Sequence, residues 1–282
     1  MKKFMHILVS MAVMASAFQF SVLSVCAEEN IVPDYEVKLL LDSDFVLNSD
    51  DLLKKTYRNL FETGTNYDEI GVLYIDTEDL AFNEEGWINR VRIKEDGDDF
   101  DLTYKKRYAI QNEDIESALD LANTEGFDIT DTNYEAQIDW GYEKMTLSLS
   151  CNKTASNSGY DDMELPGKNA AIEMLKDKMP GKLEDWSDNN WGKDTIEDGK
   201  KFGPIYYLKY RGEYNNTDID IEIWPIYNEE TEETEYITEL SFKADTYGAA
   251  EATRAALISY LDGLDILLHS DSLKTQKILS SY

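Results

Sequence analysis

From residue 34 onward the chain repeatedly alternates polar and apolar side chains, the period expected of strands with one buried face. In DYEVKLLL, Asp34, Glu36 and Lys38 share one face of a strand over 35–41, and Val37, Leu39 and Leu41 the other. The stretch 72–108 reads as strand, turn, strand, turn, strand. Its two long strands put Arg90, Arg92 and Lys94, then Thr103, Lys105 and Arg107, on one side, and Val91, Ile93, Leu102 and Tyr104 on the other. Residues 133–140 and 143–151 form a hairpin about Gly141, with Met145, Leu147, Leu149 and Cys151 on one side. Strands over 204–212, 217–224 and 234–243 group Lys209 with Arg211, Asp218 with Asp220 and Glu222, and Glu239 with Ser241 and Lys243.

Helical spacing marks the segments between them. The pattern predicts a helix capped by Asn48 or Ser49 and running to about Gly64, a second from Asn112 to Gly126, and a third over 165–179 that Pro180-Gly181 breaks. An amphipathic helix over 246–269 and a short C-terminal helix complete the set, while 187–202, rich in Asp, Asn and Gly, reads as a long exposed connection. Alternating charges fit two architectures: an antiparallel sheet with one wet face, the commoner of the two and the one that spacing alone favours, or a barrel of about eight strands closed around its charges and holding one small ligand.

Charge sharpens that choice. The chain carries 57 acidic against 27 basic residues, a formal net charge of -30. Such a field disfavours nucleic acid or anionic membrane on the outer surface, so cations falling at alternate strand positions are candidates for one protected place. Residues 1–27 open with Lys2 and Lys3, continue as an apolar run and end at Val25-Cys26-Ala27, the small-residue spacing of a signal-peptidase site. Cleavage there predicts an exported chain of one domain, 28–282, with no membrane attachment; an uncleaved anchor and a lipid-modified Cys26 are the other readings of the same segment.

Downstream of that site Cys151 and His269 are the one cysteine and the one histidine, which excludes an internal disulfide and a Cys/His zinc site. Neither GxGxxG nor a Walker-type Gly-Lys-Ser loop is present. Any metal would be held by oxygen ligands, which suits Mg2+, Mn2+ or Ca2+.

The block YIDTEDLAFNEEGWINRVRIKEDGDDFDLTYKK resembles the core signature of the CYTH superfamily, the triphosphate tunnel metalloenzymes, through Tyr74, Asp76, Thr77, Leu80, Gly86, Arg90, Arg92, Leu102, Thr103 and Lys105. The family's opening Glu-x-Glu-x-Lys strand is matched by Asp34, Glu36 and Lys38, with Asp for the first Glu. The resemblance is weak over about 112–202, where the role of the segment 152–202 is undefined.

The resemblance implies an α+β fold: a closed antiparallel barrel, or tunnel, with helices packed outside. It implies Lys38, Arg90, Arg92, Lys105, Lys209 and Arg211 on a small phosphorylated ligand, and Asp34, Glu36, Glu239 and Asp220 or Glu222 on a divalent metal. The activity implied is metal-dependent hydrolysis of inorganic triphosphate or a related phosphorylated polyanion. The alternative is a tunnel that binds such a ligand or a divalent ion without turnover, for which Ser241, in place of a second late-strand carboxylate, is the pointer.

Overall fold

The computed structural model describes residues 28–282 apart from 96, 229, 272 and 273, and the leader segment lies outside the described residues. In chain order the elements are β1 (Asp34–Leu41), α1 (Ser43–Val46), α2 (Lys55–Leu60), β2 (Asp68–Asp76), α3 (Ala81–Glu84), β3 (Trp87–Lys94), β4 (Asp99–Ile110), α4 (Ile115–Thr124), β5 (Glu135–Trp140) and β6 (Met145–Ser156). They continue as α5 (Lys168–Asp177), α6 (Gly181–Glu184), α7 (Trp191–Glu197), β7 (Lys200–Tyr214), β8 (Thr217–Asn228), β9 (Glu233–Ala244), α8 (Tyr247–Asp262), β10 (Leu267–Leu268) and α9 (Lys274–Ser281).

The strands pair in the order β1-β5-β6-β4-β3-β2-β7-β8-β9, and β9 pairs back onto β1, which closes the ring. All but one of these joints are antiparallel; β1 and β5 run parallel. The barrel is therefore mixed, where the resemblance implied an all-antiparallel one. Parity is the reason: directions alternate around antiparallel joints, so a ring with an odd number of strands must contain a parallel one. The short β10 covers the stretch of β1 that β5 does not reach, pairing Leu40 with Leu268 and Leu41 with Leu267.

Period-2 patterning separates two apolar regions. Val37, Leu39, Leu73, Val91, Leu102, Tyr104, Leu149 and Leu240 point outward and pack under side chains of the surrounding helices, among them Val46, Phe61, Ala118, Ile172, Ile196 and Leu257. Residues of opposite parity, Ile70, Val72, Tyr74, Ile205, Tyr207, Trp224 and Ile237, form a separate inner cluster together with Ile278 and Leu279 of α9. The helices thus lie outside except for α9, which fills one end of the lumen.

Three predicted elements differ for local reasons. The helix expected over 48–64 shrinks to α2 at 55–60, because Asn48 does not cap a helix: its Oδ1 accepts from the backbone of Asp50 and Leu52 and closes a turn, and α1 lies before it. The tract 187–202 is not a plain loop; α7 lies within it, and Trp186 and Trp191 pack at 5.4 Å from Trp87 and 5.2 Å from Phe82. Gly263 ends α8 at Asp262, short of the 269 expected.

Candidate functional site in the lumen

The turn that launches β3 is built by the most distinctive part of the sequence. Asp76 is buried, and its carboxylate accepts from the backbone N–H groups of Thr77, Phe82 and Asn83 at 2.7, 2.9 and 2.9 Å. Thr77 Oγ1 accepts from Ala81 N at 2.9 Å and donates to Asp79 at 2.6 Å. Gly86 follows at φ +73, where a Cβ would stand 2.8 Å from the Arg107 carbonyl. Asp76, Thr77 and Gly86 are therefore scaffold: they fold the 77–86 turn and fix the register of β3 on β4. That register sets Arg90 opposite Thr103 and Arg92 opposite Asp101.

The lumenal faces of β3 and β4 carry the basic wall. One terminal nitrogen of Arg90 donates to Thr103 Oγ1 at 3.2 Å, one of Arg92 reaches Asp101 at 3.4 Å, and one of Arg107 donates to Thr275 Oγ1 at 3.4 Å. The Nε of each of these three arginines is buried and lacks a hydrogen-bond partner. Arg90, with burial, pulls the Arg92 pKa below its ordinary value. Lys105 lies on β4, opposite Ile88 and two residues before Arg107, with its Nζ 3.8 Å from Asp139. Burial, with Lys38, Arg107 and Arg90 adding to it against the attraction of Asp139, lowers the Lys105 pKa to about 7.

Facing this wall are carboxylates, each with an ammonium. Lys38 Nζ is 2.7 Å from Glu36 and 2.6 Å from Asp139. Burial opposes the charge on Lys38, yet Asp139, Glu36 and Glu239 hold its pKa above the usual lysine value. Asp139 also accepts from Ser148, and Lys105, Lys38 and Arg107 overcome burial to keep it ionised far below the ordinary range. Lys209 is 2.6 Å from Asp220, and Lys274 of α9 is 2.9 Å from Glu222 and 2.8 Å from Glu239. Glu222, opposed by burial but drawn down mainly by Lys274, has a pKa of about 2.

Of the residues singled out from the sequence, Lys38, Glu36, Arg90, Arg92, Lys105, Lys209, Asp220 and Glu239 share the inner face. Asp34 is exposed at the barrel end, and Arg211, 68% exposed, pairs with Asp68 at the same rim. Asp139, Arg107 and Lys274 belong to the lumen and were not among the assigned site residues. Alternation on β5 with Gln137, and on β4 with Lys105, was the available signal for the first two. Nothing in the helical pattern of 274–281 tells that Lys274 points into a barrel. A cavity of about 490 Å3 opens beside α9, lined by Lys38, Arg107, Asp139, Glu239 and Lys274 among others, a size suited to a small ligand. Arg90 and Arg92 continue its basic wall deeper along β3.

No family model and no curated protein sequence matches the chain. Solved structures match it in fold. A candidate adenylyl cyclase from Hippeastrum, described as having a dominant triphosphatase activity, superposes with a TM-score of 0.52 at 11% identity, covering 87% of this chain and 94% of that one. A candidate adenylate cyclase from Bacillus halodurans gives 0.49 at 13% identity over 87% and 94%. The first likeness makes the fold that of a CYTH-type tunnel, and it is a likeness of fold alone.

Proposed function

We propose that the tunnel binds a short phosphorylated polyanion of the triphosphate class, on the basic wall formed by Arg90, Arg92, Lys105 and Arg107. One observation carries the reading: three buried guanidinium Nε–H groups on adjacent strands lack acceptors. A buried donor without a partner costs about 1–3 kcal/mol, more when charged, so three together favour an occupant bearing several acceptor oxygens. Planar guanidinium forks pair with phosphate and carboxylate oxygens alike, and a triphosphate brings enough oxygens for all three at once. Read as a leader, the segment 1–27 would export the protein, and nucleoside triphosphates are scarce outside cells, which favours inorganic triphosphate or polyphosphate as the ligand.

Turnover is the second reading, favoured by Glu239. Its Oε2 is buried, has no partner, and belongs to a residue lining the cavity, so it can accept the proton of a water attacking a terminal phosphoryl group. The new P–O bond forms to that water and the bridging P–O bond breaks toward the diphosphate, while the basic wall balances the charge that builds up. Tunnels of this type generally use divalent metals. The donors here do not fit one: the lumenal carboxylates are held by Lys38, Lys209 and Lys274, and among the described residues no cluster of three acidic, cysteine or histidine side chains is arranged around a common point.

Titration calorimetry with tripolyphosphate tests binding: Arg90→Ala and Arg107→Ala should each weaken it by about tenfold or more, since a charge-assisted hydrogen bond contributes about 1.5–3 kcal/mol. Equal affinity in both variants and the parent would overturn the site. Phosphate release tests turnover. Release by the parent that falls on Glu239→Gln supports the second reading, and no release at all leaves a binding tunnel.

A further inference from the structure

Glu222 and Glu239 stand directly opposite each other on β8 and β9. Two adjacent carboxylates, with the Glu239 side chain 2% and the Glu222 side chain 15% exposed, require a positive partner. Lys209 lies across from Glu222 on β7, but its ammonium is engaged with Asp220. Lys38, from β1, is engaged with Glu36 and Asp139. The partner is Lys274, which reaches both carboxylates and lies 4.6 Å above the Trp224 ring. It is carried there by α9, anchored by Ile278 and Leu279 in the inner apolar cluster and by Thr275 against Arg107.

We propose that Lys274 takes the place of a divalent ion at the Glu222–Glu239 pair, so that the tunnel engages its anion through a built-in ammonium with no metal at that pair. This rests on the reading of the lumen as an anion site. An ammonium has three donors. Two meet the carboxylates, and the third is left for a ligand oxygen in the cavity that Lys274 lines. A divalent ion entering the pair would have to expel that ammonium, and α9 has no freedom to retreat while Ile278 and Leu279 remain packed in the barrel. The single positive charge leaves Glu239 Oε2 unpartnered and available as an acceptor, which a metal held by both oxygens would block.

Manganese binding, read by the loss of the free Mn2+ electron paramagnetic resonance signal, tests the proposal on the full protein. The parent should bind no Mn2+ that depends on Glu239, and Lys274→Met should gain one site, about tenfold or more tighter than any in the parent, that Glu239→Gln removes. Mn2+ held equally by the parent and by Glu239→Gln sits elsewhere on the acidic surface and agrees with the proposal. Mn2+ bound by the parent and lost in Glu239→Gln overturns it, whether or not Lys274→Met folds.

A parallel titration with tripolyphosphate in EDTA separates the two readings. Binding without metal supports both. Binding that appears only when Mn2+ is added sinks the metal-free pair and keeps the anion tunnel. Absence of binding under either condition ends the anion reading, and the manganese result then decides the role of Lys274 by itself.

Discussion

At the scale of single residues the account turns on groups whose charge is set by what surrounds them. Lys105 is the clearest. Its folded pKa of about 7 lies below the unfolded value, so between the two the unfolded chain holds the extra proton. The penalty is full below pH 7 and fades as pH rises, so this residue contributes stability that grows with pH through the window from about 7 to 10. Melting temperatures of the parent should accordingly gain on those of Lys105→Met across that window. A phosphate bound against Lys105 restores its ordinary pKa, and calorimetry at pH 8 in buffers of different ionisation enthalpy should record proton uptake of about one per site, absent in Lys105→Met. Uptake unchanged in the variant would remove Lys105 from the ligand's neighbourhood.

Among the elements, α9 has two tasks, plugging the barrel and delivering Lys274. Ile278 is fully buried in the inner cluster, so Ile278→Ala should cost about 2–5 kcal/mol in denaturant titrations. A loss well under 1 kcal/mol would mean that α9 does not sit in the lumen. The strands were legible in the sequence because alternation names a buried face whichever way the sheet closes. Arg90 and Arg92 were legible as one face, and the 77–86 turn as a signature, although its Asp and Gly turn out to hold backbone and not ligand. The helix at 274–281 was also legible. Its place inside the barrel was not, because an apolar stripe of Ile278 and Leu279 fits an outer wall as well as an inner one. Asn48 misled because the same side chain that caps helices also closes Asx turns, and the backbone N–H groups it meets are decided by the residues beyond it.

For the whole molecule the relevant contrast is between an acidic exterior, formal net charge -30, and a lumen whose β3–β4 wall is basic. That exterior slows an incoming polyanion at low salt. Stopped-flow association of tripolyphosphate should therefore speed up as ionic strength rises from roughly 0.01 to 0.15 M, with the Debye length falling from about 30 to 8 Å. Association slowed by salt over that range would indicate a ligand captured on an exposed basic surface. Closure could not be decided from alternation, which one wet face also explains; the β9–β1 pairing is what turns the charged face into a lumen. The most direct measurement is a crystal structure of the protein soaked with tripolyphosphate. The account predicts phosphate oxygens about 2.7–3.2 Å from the Nε atoms of Arg90, Arg92 and Arg107, with Lys274 still between Glu222 and Glu239. An empty lumen, or the anion bound on the outer surface, would contradict it.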